Sequence, residues 1–408
     1  VRPTNQATLN IPNAQQGLGA SANNNHFIMG YLDQDGDPST TSSSSAELQI
    51  PSGAKVLFGG LYWGAVTDNV ADRIKIKFRA PGGAYQLITG ETLGTGTNSP
   101  TDIFNDQGVQ QNLPGTYYYQ SFKDVTDIVK AAGTGYYWAA DIIGLPGNLY
   151  TNIFAGWALV VVYENQNDPP RNLVVFDGYA QILSSGPSTT VNISGFITPP
   201  NGNVISKVGT VVYEGDLTEK ATPSDSISII PVDGDTSNLA IPPEYRLSDA
   251  ANPINNFFNS TVSNNGANVA SRDPFYINQF GFDADQVLTT NKIARAATQA
   301  NVVFSTNGDG YWPGVLINVT DLHSPAVVIT KKVVDVTTGS TTVALPGDTL
   351  RYTVTVDNPI SSIDPVAKVI VTDLIPTYTT YKPGTLQVTT GANAGFKTDA
   401  LGDDQAEF

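Results

Sequence analysis

The chain has no cysteine, one methionine, two histidines and few helix-favouring acids. Without cysteine there is no disulfide, thiol nucleophile or thiolate metal site, and such a chain folds in reducing and oxidising compartments alike. With only His26 and His323 and no G-x-S-x-G elbow, a nucleophile–base pair is poorly supplied, so the chain is expected not to be an enzyme. Only seven of the 37 acidic residues are Glu. Glu suits helix interiors whereas Asp prefers turns, so the imbalance argues for strands joined by turns. The longest apolar runs, such as 154–163, fall well short of the ~20 residues that span a bilayer as a helix, so no membrane span is expected. Basic residues are also scarce. A formal charge of −16 without any Lys/Arg cluster repels phosphate backbones and anionic lipid, which excludes nucleic acid as an expected partner.

What the chain does have is apolar and turn-forming. Hydrophobic residues make up 40% of it, enough for packed cores, and 38 Gly, 26 Pro and many Thr, Val, Ile and Tyr mark strands. At 408 residues it exceeds one ordinary core and predicts two or three domains. The expected fold is all-β. An N-terminal arm spans 1–25, a β-sandwich head of jelly-roll type spans 26–324, and a C-terminal module spans 325–408. Whether the head is one sandwich or two, divided near 165–187, is left open. RIKIKFR at 73–79 alternates apolar and charged residues and turns through Pro81-Gly82-Gly83 into a partner strand. Strands are also expected to pair at 46–50 with 55–63, and at 153–164 with 172–183 across the Pro169-Pro170 turn. One helix is predicted over 124–132, begun by Asp124 and ended at Gly133. Residues 249–270 are Asn-rich and read as either a short helix or a surface loop.

Chemistry-bearing groups are sparse. Asp33, Asp35 and Asp37 surround Gly36, and three carboxylates on one loop offer hard oxygen ligands to Ca²⁺, which would relieve their repulsion. The loop is no EF-hand, because Pro38 stands where Gly is required and Ser44 where the bidentate Glu belongs. An acidic solvated turn is the plain alternative. Asp283, Asp285 and Asp309 form a second acidic set. A glycosidase needs only two carboxylates, but no pair stands out. Trp63, Trp138, Trp157 and Trp312 would suit a sugar-stacking platform, although their strand settings favour core packing. Sequons at Asn192, Asn259 and Asn318 mark potential glycan acceptors.

From residue 326 the chain reads AVVITKKVVDV, then ALPGDTLRYTVTVDNP, then AKVIVTDLIPTYTTYKPGTLQV. This resembles the immunoglobulin-like repeat of prokaryotic surface proteins, with three segments agreeing in order over about a fifth of the chain. Within it Leu350, Tyr352, Val354 and Val356 alternate with Arg351, Thr353 and Thr355, as one packed and one wet face require. The upstream segments GGLYWG (59–64), GWALVVVYE (156–164), RNLVVFDG (171–178) and GDGYWPGVLINVTDL (308–322) resemble the head that precedes such repeats in secreted bacterial proteins. The resemblance implies an immunoglobulin-like sandwich, export to the cell surface and no catalysis. By analogy with lysines of related surface sandwiches, Lys331 or Lys332 would form an internal amide cross-link. The chain departs from the repeat by stopping at Phe408 before its last strands, so the module is read as incomplete.

These observations lead to an extracellular, cell-surface structural or adhesive protein, a filament or surface-layer subunit that self-associates by strand donation. Val1 follows no leader, which suits a mature exported chain. Ala7, Leu9 and Ile11 alternate on one face and are the expected donor strand, with the open edge of the C-terminal module as acceptor. The rival reading is a secreted carbohydrate-binding or carbohydrate-cleaving protein.

Overall fold

A computed structural model describes residues 1–5, 10–18, 22–97, 116–147, 153–184, 186–217, 224–239, 244–308, 310–322, 327–358, 366, 369–391 and 393–408. Ala7, Leu9, Asp309 and His323 lie outside these. The chain divides between Ala326 and Val327 into a head and a smaller C-terminal unit.

The head is a stack of four sheets. The first holds, side by side, β18 (Arg272–Asp273), β3 (Ser43–Leu48), β9 (Gly135–Ala140), β5 (Lys75–Arg79) and β6 (Gln86–Thr89). The second holds β10 (Ala155–Glu164), β4 (Lys55–Thr67), β8 (Tyr117–Asp124) and β7 (Glu91–Thr97). The third runs β11 (Arg171–Asp177), β21 (Trp312–Asp321), β13 (Ser206–Tyr213), β19 (Phe282–Leu288), β16 (Val262–Asn264) and β17 (Ala267–Asn268). The fourth runs β12 (Thr189–Ser194), β20 (Gln299–Ser305), β14 (Ser226–Pro231) and β15 (Tyr245–Arg246). Pairing is antiparallel except that β16 runs parallel to β19.

Strand alternation explains the stacking. On β4, Leu61, Trp63 and Ala65 join the core shared with the first sheet, while Tyr62 and Val66 join the core shared with the third. On β13, Val211 and Tyr213 face the second sheet, and Val208 and Val212 face the fourth. The two middle sheets are thus apolar on both faces, which is why 59–66 reads as a nearly unbroken apolar run.

The second and third sheets approach closely because glycines sit opposite their largest side chains. A Cβ added to Gly64 would lie 2.8 Å from the Tyr213 ring, and one at Gly94 would lie 2.6 Å from Tyr179. A Cβ on Gly156 would overlap the Phe282 ring, and one on Gly314 the Gln120 amide. Gln120 is fully buried and ties the two sheets together. Its Nε2 donates to the carbonyls of Gly178 and Gly314, both at 2.9 Å, and its Oε1 accepts from the Tyr213 hydroxyl at 3.0 Å.

The predicted helix is present as a helical segment at Thr126–Ala132, with the Asp124 carboxylate accepting from the Thr126 N–H and Gly133 in the left-handed region at φ 66°. The hairpin β5–β6 also forms where alternation placed it. Two other pairings differ from expectation. Residues 153–164 and 172–183 are not a hairpin, because β10 pairs with β4 and β11 with β21, and the intervening turn carries the chain from the second sheet to the third. Likewise β3 pairs with β9, not with β4. Residues 249–270 form neither helix nor surface loop, since Phe257 and Phe258 lie in the core between the third and fourth sheets.

The N-terminal segment is built into the head and is not a separate arm. Strand β1 (Arg2–Asn5) pairs with β2 (Ile28–Gly30), and Ala14 and Ala22 are core residues whose carbonyls accept from Asn278 Nδ2. Ile11 opens a helical turn, Ile11–Gln15, where a strand was expected, because Asn10 caps it and Pro12 presets its first turn.

In the C-terminal unit the described strands are two hairpins. One pairs β22 (Val328–Asp335) with β23 (Leu350–Asp357), and the other pairs β24 (Gln387–Val388) with β25 (Gly395–Phe396). All three hydrophobic cores lie in the head.

Two substitutions test the glycine and glutamine contacts. Gly64→Ala forces a methyl against the Tyr119 carbonyl, which cannot yield, and is expected to cost about 1–3 kcal/mol in denaturant unfolding. Gln120→Leu keeps the volume but strands the Gly178 carbonyl and the Tyr213 hydroxyl, and is expected to cost a similar amount. Wild-type midpoints for both variants would show that the two middle sheets are not held this way.

Candidate functional site

One concave feature of the head is a slot of about 300 Å³. Residues 155–159 of β10 line one side and residues 42–48, around β3, the other. Its walls come from neighbouring sheets: Tyr137 and Ala139 from the first, Val262, Phe282 and Ala284 from the third. The slot therefore lies in the plane of the second sheet, beside its last strand. Strand β10 has a single ladder partner, β4, and among the described residues its other edge makes no backbone hydrogen bond. The Trp157 indole donates to Ser44 Oγ at 2.8 Å and ties the two sides together. Glu47, Arg272 and Asp273 supply the charge. Arg272 is engaged already, donating to the carbonyls of Val269 and Tyr276.

The Asp33–Asp35–Asp37 loop is held by donors from its own fold. Ser43 Oγ lies 2.8 Å from both Asp33 Oδ1 and Asp35 Oδ1. Asp35 Oδ2 accepts from the Tyr85 hydroxyl at 2.7 Å and pairs with the Arg79 guanidinium at 3.2 Å. That guanidinium is sandwiched between the Tyr85 and Trp138 rings at 4.5 and 4.7 Å. Burial alone would raise the Asp35 pKa, but bonds from Tyr85, Ser43 and the Asp37 N–H, with the Arg79 charge, hold it below the usual carboxylate range. Asp37 Oδ1 accepts from the Ser39 N–H at 2.9 Å. The repulsion that suggested calcium is thus relieved at Asp35 by an arginine 44 positions along the chain. Among the described residues, no group of three or more His, Asp or Glu side chains is placed to hold a metal ion.

In the C-terminal unit Lys331 Nζ pairs with Asp373 Oδ1 at 2.6 Å and lies over the Tyr352 ring at 4.9 Å. Both side chains are about 40% exposed. Lys332 is exposed on the same strand.

The tryptophans do not form a platform. Trp63 and Trp312 are fully buried, Trp157 lines the slot and Trp138 packs against Arg79. Of the three sequons, Asn259 and Asn318 are buried and Asn192 is exposed.

Asp283 and Asp285, two members of the second acidic set, point inward. Alternation on β19 puts Phe282 and Ala284 toward the second sheet and the two aspartates, with Val287, toward the fourth, where they are 0% and 2% exposed. Asp283 Oδ1 accepts from the Thr261 N–H at 3.1 Å and Asp285 Oδ1 from Ser263 Oγ at 2.6 Å. Among the described residues the Oδ2 atom of each has no hydrogen-bond partner. Gly215 is obligatory beside them, because a Cβ there would overlap Asp283 Oδ2. Burial, then the Asp285 charge, raises Asp283 well above its ordinary value. Burial, opposed by the Ser263 hydroxyl and reinforced by the Asp249 charge, pushes Asp285 up to about 7. Around this pair Glu214, Ser260 and Phe280 all adopt positive φ, 75°, 61° and 55°, a cost of about 1–3 kcal/mol each that the surrounding bonds must offset. Among those bonds, Glu214 N–H donates to the Gly281 carbonyl and Ser260 Oγ to the Gly215 carbonyl.

No family model matches the chain, and no curated protein matches it. Among solved structures it is similar to infectious bursal disease virus Gt strain, at 10% identity and TM-score 0.18, over 68% of this chain and 58% of that one. It is also similar to the major capsid protein P2 from Bacteriophage PM2, at 12% identity and TM-score 0.17, over 72% of this chain and 96% of that one. The chain spans little more than half of the bursal disease virus chain. Scores this low carry no argument about function.

The buried aspartates predict an unusual pH dependence. Asp285 ionises near 3.8 when unfolded and near 7 in the head, so the folded state binds the extra proton between these values. The stability this proton confers is complete below about pH 4 and is lost as pH rises through about 7. Asp285→Asn is expected to flatten the decline between pH 5 and 8, and to exceed wild type at pH 8 by a few kcal/mol at most, on the order of 1.4 kcal/mol per pH interval. Equal losses in both proteins, followed by urea unfolding, would acquit this carboxylate.

Proposed function

We propose that the chain is an extracellular structural protein of a cell surface, that it carries out no catalysis, and that its copies associate into ordered polymers. The observation that supports this reading best is the hairpin β22–β23. It is a two-stranded sheet, marginal by itself in water, and β22 leaves Val328, Ile329 and Val333 exposed at 48%, 61% and 39%. Tyr352 on β23 is 37% exposed. Each outer edge presents a row of backbone donors and acceptors, the usual template for adding a strand. The resemblance of this unit to a surface repeat is consistent with export, and the head, with three cores of its own, would serve as the rigid body of a subunit.

Light scattering and negative-stain imaging of the purified chain test the reading. Wild type is expected to form ordered polymers, and Ile329→Lys/Val333→Lys to stay monomeric with the thermal midpoint of the head unchanged. Wild-type chain that remains monomeric up to saturating concentration would overturn it.

A further inference from the structure

The slot beside β10 has the shape of a missing strand. Sheets one and three both line the space beside the edge of sheet two, through β3 and β18 on one side and β19 and β16 on the other. The side facing the gap is the unpaired backbone edge of β10. In an antiparallel ladder every second residue of an edge strand directs its N–H and C=O outward, a spacing that another extended backbone matches at every position. Ala155, Ala158, Phe282 and Ala284 make the surroundings apolar and leave room for side chains.

We propose that this slot accepts one strand of a second copy of the chain, β22, which adds to the free edge of β10. The inference rests on the self-association proposed above and names its acceptor. Two observations select β22. Over 328–333 it is exposed at every position, and β23 is its single ladder partner among the described residues. Its charge also fits: Glu47 and Asp273 lie along the slot, the nearby Arg272 is taken up by carbonyls, and β22 brings the exposed Lys332 after the apolar Val328 and Ile329, whereas Lys331 is paired with Asp373 of its own unit. Because the donor lies in one unit and the acceptor in the other, a one-way contact between copies is heterologous and leaves a free donor and a free acceptor for further copies.

Hydrogen–deuterium exchange of the full-length protein, monomeric and assembled, tests the proposal. Alternate amides of 155–159 are expected to exchange at least ten-fold more slowly after assembly, while those of β11 remain unchanged. Ala46→Phe, which fills the slot from β3, is expected to fold with the wild-type thermal midpoint and to lose polymer formation. Polymers whose β10 amides exchange as in the monomer would overturn the slot as acceptor and leave self-association standing, as would a folded Ala46→Phe that polymerises normally. Absence of any polymer would overturn both. Should Ala46→Phe fail to fold, the wild-type exchange data alone decide.

Discussion

The close approach of the second and third sheets is the constraint on which the rest of the head depends. Each of these sheets is covered on both faces, so the gap between them sets the depth of the two outer cores as well. The gap is narrow because Tyr213, Phe282 and Gln120 occupy the space that side chains at Gly64, Gly156 and Gly314 would need. The packing of Phe282 over Gly156 also determines the face of β19. With Phe282 and Ala284 directed at the second sheet, Asp283 and Asp285 can only point at the fourth, and Phe282 becomes a wall of the slot. One glycine thus places both the apolar wall beside β10 and the buried carboxylates behind it.

The local character of most elements was legible in the sequence, and their partners were not. The run 59–66, the alternation at 73–79 and the capped segment at 124–132 each became the element that periodicity and capping describe. The turn at 165–170 carries the signals of a hairpin, yet it changes layers, because turn chemistry describes the bend and not what the emerging strand will meet. Residues 249–270 resisted reading because their polarity suggests solvent, whereas Asn252, Asn259 and Thr261 satisfy one another in the interior. Asp283 and Asp285 stand at alternate positions of β19, and the fourth sheet, formed by distant strands, makes their face dry. The slot had no sequence signature, since it is made by the edge of one sheet and residues of two others.

Charge places a further condition on assembly. A subunit of formal charge −16 repels its copies, and the apolar area of one added strand must overcome that repulsion. Screening shortens the repulsion to about 10 Å at 0.1 M salt, while a contact within the slot is short-ranged and little affected. Polymer growth should therefore be limited by encounter at low ionic strength.

Several sheet edges of the head are blunted against further strand addition. Strands β15, β17 and β18, at the margins of three sheets, are two residues each and too short to template another strand. Strand β11 ends in Arg171, which is paired with Asp168 and Asp321, and a charged edge resists further addition. Strand β10, ten residues long, is a longer edge, and residues of the first and third sheets line the space beside it. Strand β22 is exposed over 328–333 but carries two lysines, which disfavour indiscriminate pairing. Strands β10 and β22 are two of the free edges among the described residues, and the proposed pairing joins them.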